Sequence, residues 1–153
     1  MFGVCTMETA EKLAIVSAGV FFLTALVTGI WKYRQIMASP SGEAHPYVDI
    51  CHRASLLYAF AAILLAKFVE ISQLPAAWEI SATAAVVFYF AVAILSYMVH
   101  GLLQDTENQF KAPFQLGQIN LSAHHVSAHM WMLIAAEVGG FLILFYGVLA
   151  ALF

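Results

Sequence analysis

WEISATAAVVFYFAVAILSYMVHGLL, residues 78–103, is a run of 26 residues with one carboxylate at its start and one histidine near its end. No Lys, Arg, Asp or Glu interrupts it between those points. A hydrocarbon core about 30 Å thick is crossed by about 20 residues of helix, so the run is long enough to span. Alternation of period two is absent, and backbone polar groups in lipid must pair within the segment, so it reads as a helix and not a barrel strand. Three further segments pass the same test: Leu13–Trp31, Val48–Ile71 and Val126–Phe153. The 153 residues are 63% hydrophobic and only 10% charged, and mean hydropathy is +0.86. Soluble domains are nearer a quarter charged. The sequence therefore predicts one domain over residues 1–153, an all-α integral membrane four-helix up-down bundle.

The connections are unequal. SQLPAAW, residues 72–78, is a tight turn. KYRQIMASPSGEAHPYVD (32–49) and QDTENQFKAPFQLGQINLSAHH (104–125) are long, polar and punctuated by Pro and Gly. In an antiparallel bundle these two loops share a membrane face, and long loops on so small a bundle cover or carry function. Lys32, Arg34, Arg53 and Lys111 lie towards that face, against Lys12 and Lys67 towards the other. The positive-inside bias then puts both termini outside and the long loops in the cytoplasm. The first span has Glu8 and Glu11 before it and no basic leader, so it is expected to remain as a helix and not to be a cleaved signal. A net charge of −3 offers no nucleic-acid surface. Cys5 and Cys51 make no disulfide framework, and Cys51 reads as a small buried filler.

All six histidines fall at the long-loop end. His45 lies in the first loop, His52 in the first turns of the second helix, and His100 at the end of the third. His124, His125 and His129 open the fourth, in SAHHVSAHMW (122–131). His125 and His129, at i and i+4, project from one face, where two imidazoles can meet one metal or porphyrin. His52 sits with Arg53 in an otherwise apolar helix, where an ionisable group is costly and faces the bundle interior or a cavity. Glu137 is either a proton relay or a carboxyl hydrogen-bonded between helices. Glu70 and Glu79, flanking the tight turn, are expected to be solvated. Ala135/Gly139 and Ala136/Gly140 are small-residue pairs that permit close helix contact.

Neutral imidazole with few thiolates suits iron, copper or zinc. A haem needs few protein ligands and a large apolar slot, and without C-x-x-C-H it would be non-covalent. Two non-haem irons would draw on His52, His100, His124, His125 and His129.

AHPYVDICHRASLLYAF (44–60) opening the second helix and DTENQF (105–110) in the third loop resemble the styrene oxide isomerase and hydroxylaminobenzene mutase group. These are small integral membrane isomerases, and styrene oxide isomerase is a trimer that binds haem b. The resemblance implies that His52 ligates the iron and that Asn108, in the shared NQF, belongs to the cofactor site. It implies a catalytic tyrosine on the third helix, for which Tyr97 matches by depth and Tyr89 by local sequence. The family has asparagine six residues after the histidine, and this chain has Tyr58 there.

The expected function is thus a membrane-embedded haem b isomerase acting on a small apolar epoxide or related aromatic delivered by the bilayer. Tyr97 and Tyr58 would be catalytic. His52 would be the metal ligand, and Asn108, His100, His125 and His129 would complete the cofactor site in a homo-oligomer. The alternatives are a haem- or copper-binding subunit of a larger membrane redox complex, and a di-iron hydroxylase.

Overall fold

The computed structural model describes residues 7–153, so Cys5 lies outside the described residues. Four helices follow one another: α1 Thr9–Ala38, α2 Pro46–Ile71, α3 Ala76–Leu103 and α4 Ala123–Leu152. Each is long and apolar enough to cross a membrane. They form an up-down bundle in which α1 packs chiefly on α2, α2 on α3 and α3 on α4.

The packing follows from side-chain size. α1 turns Ala10, Ala14, Ala18, Phe21 and Ala25 inward, three or four residues apart. α2 answers with Ser55, Ala59, Ala62 and Ala66, while its Cys51 turns to α3, where Sγ donates to the Ile94 carbonyl. In lipid no hydrophobic force draws helices together, so close approach over small residues is what joins them. The hydroxyls in this seam bond within their own helices. Ser55 Oγ donates to the Cys51 carbonyl at 2.7 Å, and Thr28 Oγ1 to the Thr24 carbonyl at 2.7 Å. The outer faces present Val20, Leu23, Val27 and Leu57 to the surroundings. That is the inverse of a soluble bundle and is stable only against lipid.

α1 outruns its apolar stretch by seven residues at its C-terminal end, from Trp31 to Ala38. Its polar extension is useful: Lys32 pairs with Asp49 at 2.5 Å, and Gln35 Oε1 accepts the His45 N–H at 2.9 Å. His45 itself caps α2, its Nδ1 accepting the Tyr47 N–H. At the opposite end the expectation of two solvated glutamates fails for one of them. Glu70 is exposed and pairs with Lys67, whereas Glu79 is only 2% exposed. Of the first turn of α3 only Glu79 points into the bundle, while Ala76, Ala77 and Trp78 stay exposed.

The third loop is built, not slack. Gln115–Leu116 and Ile119–Asn120 form a small antiparallel hairpin with Gly117 at its turn. A two-residue hairpin turn needs φ > 0 at its first central position, and Gly117 supplies φ +60°.

Candidate ligand cavity

A cavity of about 240 Å³ lies beneath this hairpin, between α2, α3 and α4. α1 contributes nothing to it. Its apolar wall is made by Ala93, Phe110, Phe114, Leu116, Met130 and Leu133. Its polar groups are Tyr58, Ser96, Tyr97, His100, Gln109, Gln115, His125 and His129, with no Lys, Arg, Asp or Glu among the lining residues.

Each helix delivers its groups by a stripe. On α4, His125, His129 and Leu133 follow at intervals of four, so one face descends into the cavity. Trp131, half a turn away, is 68% exposed on the outer surface, as the sequence predicts. His125 stands at the mouth, its Nδ1 2.7 Å from Ser122 Oγ, the residue that caps α4. His129 lies deeper, with its ring 6.2 Å from that of Tyr89. On α3, Tyr97 and His100 line the cavity and Tyr89 does not. On α2, Tyr58 lies flat on Phe90 of α3, with centroids 4.1 Å apart and an interplanar angle of 8°, which fixes its ring.

The roof is tied down by groups with little sequence signal. Asp105 accepts from His100 Nδ1 at 2.8 Å with one oxygen and from the Gly117 N–H at 2.5 Å with the other. Both side chains of the His100–Asp105 pair are 6% exposed. Burial alone would raise the Asp105 carboxyl, but the Gly117 N–H and His100 outweigh it and hold the group below the usual carboxylate range. Gln109 donates its N–H to the Tyr47 hydroxyl at 2.5 Å and accepts from Ser96 Oγ at 2.9 Å. Tyr47 in turn lies against His100, with centroids 5.0 Å apart. Hairpin, α3 and α2 are thereby one hydrogen-bonded cover. Ser96, Gln109 and Tyr47 are the site residues that sequence reasoning passes over. The NQF triplet marked the region, but Asn108 is exposed and its Oδ1 accepts the Phe110 N–H. Gln109 and Phe110, not Asn108, reach the cavity.

His52 is elsewhere. Six residues turn a helix by about 600°, leaving His52 about 240° round α2 from Tyr58. Its ring lies against α1, where Nδ1 is 2.8 Å from the Ala25 carbonyl. A carbonyl only accepts, so Nδ1 carries the proton and Nε2 keeps a lone pair. Gly29 provides the berth, since a Cβ there would stand 3.0 Å from His52 Cε1. A histidine with one nitrogen donating to a carbonyl and the other free has the form that metal-ligating histidines take. Among the described residues no three His, Cys, Asp or Glu side chains converge on one point, so the five-histidine set of the di-iron alternative is not brought together. His124 is exposed, and Cys51 is wholly buried.

Comparison with protein families, with curated proteins and with solved structures returned no match for this chain.

Proposed function

We propose that the chain is a membrane-embedded isomerase of a small apolar epoxide or related N/O-substituted aromatic, with the cavity beneath the third loop as its substrate chamber. The observation that carries this reading is an apolar cavity of about 240 Å³ reached by the Tyr58 and Tyr97 side chains. A dry cavity of about 150 Å³ holds benzene, so this one suits a benzene ring with a short oxygen-bearing substituent. The wall of Phe110, Met130 and Leu133 seats the ring, and the tyrosine hydroxyls donate to the oxygen and orient it. The Asp105-anchored hairpin covers the cavity, and a cover that limits water favours rearrangement of the polarised substrate over its hydrolysis.

A haem b fits this chain at His52 and not inside the cavity. A porphyrin is four pyrrole rings wide and exceeds a space of this volume, whereas His52 offers a fixed ring with a free Nε2 beside Gly29. His52 alone would hold it. His100, His125 and His129 line the other side of α2 and serve the chamber. When bound, ferric haem supplies a Lewis acid for an oxygen atom with no net change of oxidation state. Because His52 and the chamber face different sides of α2, a haem held by His52 would have to serve as Lewis acid for the chamber of a neighbouring copy, so the proposal includes a homo-oligomer, the trimer that the family resemblance implies. It also includes a bacterial inner membrane location with both termini outside.

The test is an optical spectrum of the purified protein, together with iron analysis. The reading expects a Soret band that collapses in His52→Ala and persists in His125→Ala and His129→Ala. A colourless, iron-free preparation from haem-replete cells removes the haem isomerase, and iron without porphyrin absorbance favours the di-iron alternative.

A further inference from the structure

His100 has a free edge that the roof does not use. Its ring lines the cavity and lies against Tyr47, with centroids 5.0 Å apart. The two nitrogens of an imidazole point away from one another. One of them is spent outside the cavity: Nδ1 is 2.8 Å from Asp105 Oδ1, and Asp105 is not a lining residue. Among the described residues, the enclosed polar side-chain atoms without a partner are Glu79 Oε1, Thr83 Oγ1 and Glu137 Oε1. His100 Nε2 has no hydrogen-bond partner there either, so it is not enclosed. In a side chain only 6% exposed, an unpaired nitrogen that can still be reached opens on the cavity that the residue lines.

Asp105 also sets what Nε2 offers. Its second oxygen accepts the Gly117 N–H, and a carboxylate only accepts, so Nδ1 carries a hydrogen and Nε2 of the neutral ring keeps a lone pair. A buried carboxylate fixes the imidazole tautomer of hydrolytic triads in the same way. Other acceptors in the chamber are already engaged: Gln109 Oε1 takes the Ser96 hydroxyl, and His125 is bonded to Ser122 at the mouth. We propose that the His100–Asp105 pair gives the chamber a fixed hydrogen-bond acceptor at Nε2, which selects an uncharged aromatic carrying a hydroxyl, such as a phenol or benzylic alcohol. This rests on the cavity being a ligand chamber and needs no haem. Tyrosine hydroxyls serve the lone pairs of such a ligand, and Nε2 takes its proton, which an ether or ketone lacks.

Ethylbenzene, acetophenone and 1-phenylethanol share one carbon skeleton and carry no polar atom, an acceptor, and an acceptor with a hydroxyl proton. Binding to the full chain in lipid nanodiscs is measured by competition NMR, with empty nanodiscs defining partition into lipid. Protein labelled with 15N-histidine reports the ring nitrogens, His100 being assigned through contacts of its ring protons with Tyr47. The natural protein should show the Nδ1–H tautomer, and 1-phenylethanol should displace the Nε2 resonance far more than the other probes. It should bind about tenfold more tightly than acetophenone, the worth of about one hydrogen bond. In Asp105→Asn the Gly117 N–H still needs an acceptor, so the amide oxygen turns to it and the amide NH2 donates to Nδ1. The tautomer then switches, and the preference for the alcohol should fall to about twofold or less while acetophenone still binds. His129→Ala should weaken both ligands and keep their ratio. An imidazolium spectrum for His100, or an Nε2 resonance indifferent to 1-phenylethanol, overturns the acceptor even if a variant fails to fold. A preference that survives Asp105→Asn, or that His129→Ala abolishes, assigns it to another group. Alcohol and ketone bound equally overturns the role of His100 and leaves the chamber standing, whereas no binding beyond empty nanodiscs overturns the chamber and this inference together.

Discussion

Gly139 and Gly140 are neighbours in sequence and should respond to the same substitution with opposite signs. A Cβ at Gly140 would stand 2.6 Å from Val86 Cγ2 and 2.8 Å from the Ala82 carbonyl oxygen. Ordinary contact begins at 3.4 Å, so Gly140→Ala must open the α3–α4 seam by 3.4 − 2.6 = 0.8 Å at Val86 and 3.4 − 2.8 = 0.6 Å at Ala82. Val86 can turn its side chain, but the Ala82 carbonyl belongs to the backbone and yields only if a helix moves. Overpacking of this kind costs about 1–3 kcal/mol, and contact with backbone puts the expectation in the upper half of that range. Gly139 has nothing within 4 Å of its added Cβ, so Gly139→Ala should be neutral or stabilising by up to about 1 kcal/mol through helix propensity. Reversible unfolding in mixed micelles, followed by far-UV circular dichroism, measures both. Equal effects of the two substitutions, or a Gly140→Ala change below about 0.5 kcal/mol, would refute the packing described for α4.

Other expectations follow from the same geometry. His129→Ala, inside the chamber, should weaken ligand binding severalfold, while Trp131→Phe, on the outer surface, should leave it unchanged; binding isotherms for the two variants decide. Asp105→Asn should loosen the hairpin by about 1–3 kcal/mol, the range for charge-assisted hydrogen bonds, seen as faster amide exchange at Gly117. The Asp105 carboxyl is held below its usual value of about 3.9. Its contribution is therefore complete above that pH and is lost as pH falls through the lower value of the folded protein. The exchange rate at Gly117 should rise over that acidic window in the natural protein and be flat in Asp105→Asn.

Hydropathy made the four spans and the shared face of the two long loops legible, because lipid solvation is a property of a segment by itself. Helix ends were less legible for the same reason. Apolar runs report where lipid stops, and α1 continues past Trp31 because Lys32 and Gln35 find partners in Asp49 and His45. The inward stripe of His125 and His129 could be read from spacing, and Tyr97 from its depth on α3. The burial of Glu79 could not, since it depends on how tightly two helices turn. Nor could the hairpin at Gln115–Asn120, whose strands are two residues each and owe their place to Asp105 and Gly117. The six-residue offset from His52 to Tyr58 already separates them by about 120° round α2. Which side faced the cavity was decided by α1, whose Gly29 accepts the imidazole.

The proposed isomerisation in the chamber of Tyr58 and Tyr97 involves no net redox. Its most direct test incubates purified, haem-replete protein with small aryl epoxides and arylhydroxylamines and follows products by mass-resolved chromatography. The expected result is a rearranged product of unchanged mass, with no added reductant or oxidant and strongly diminished turnover in Tyr97→Phe. No isomer from any member of the panel, or a product that gains the mass of water or oxygen, would contradict it.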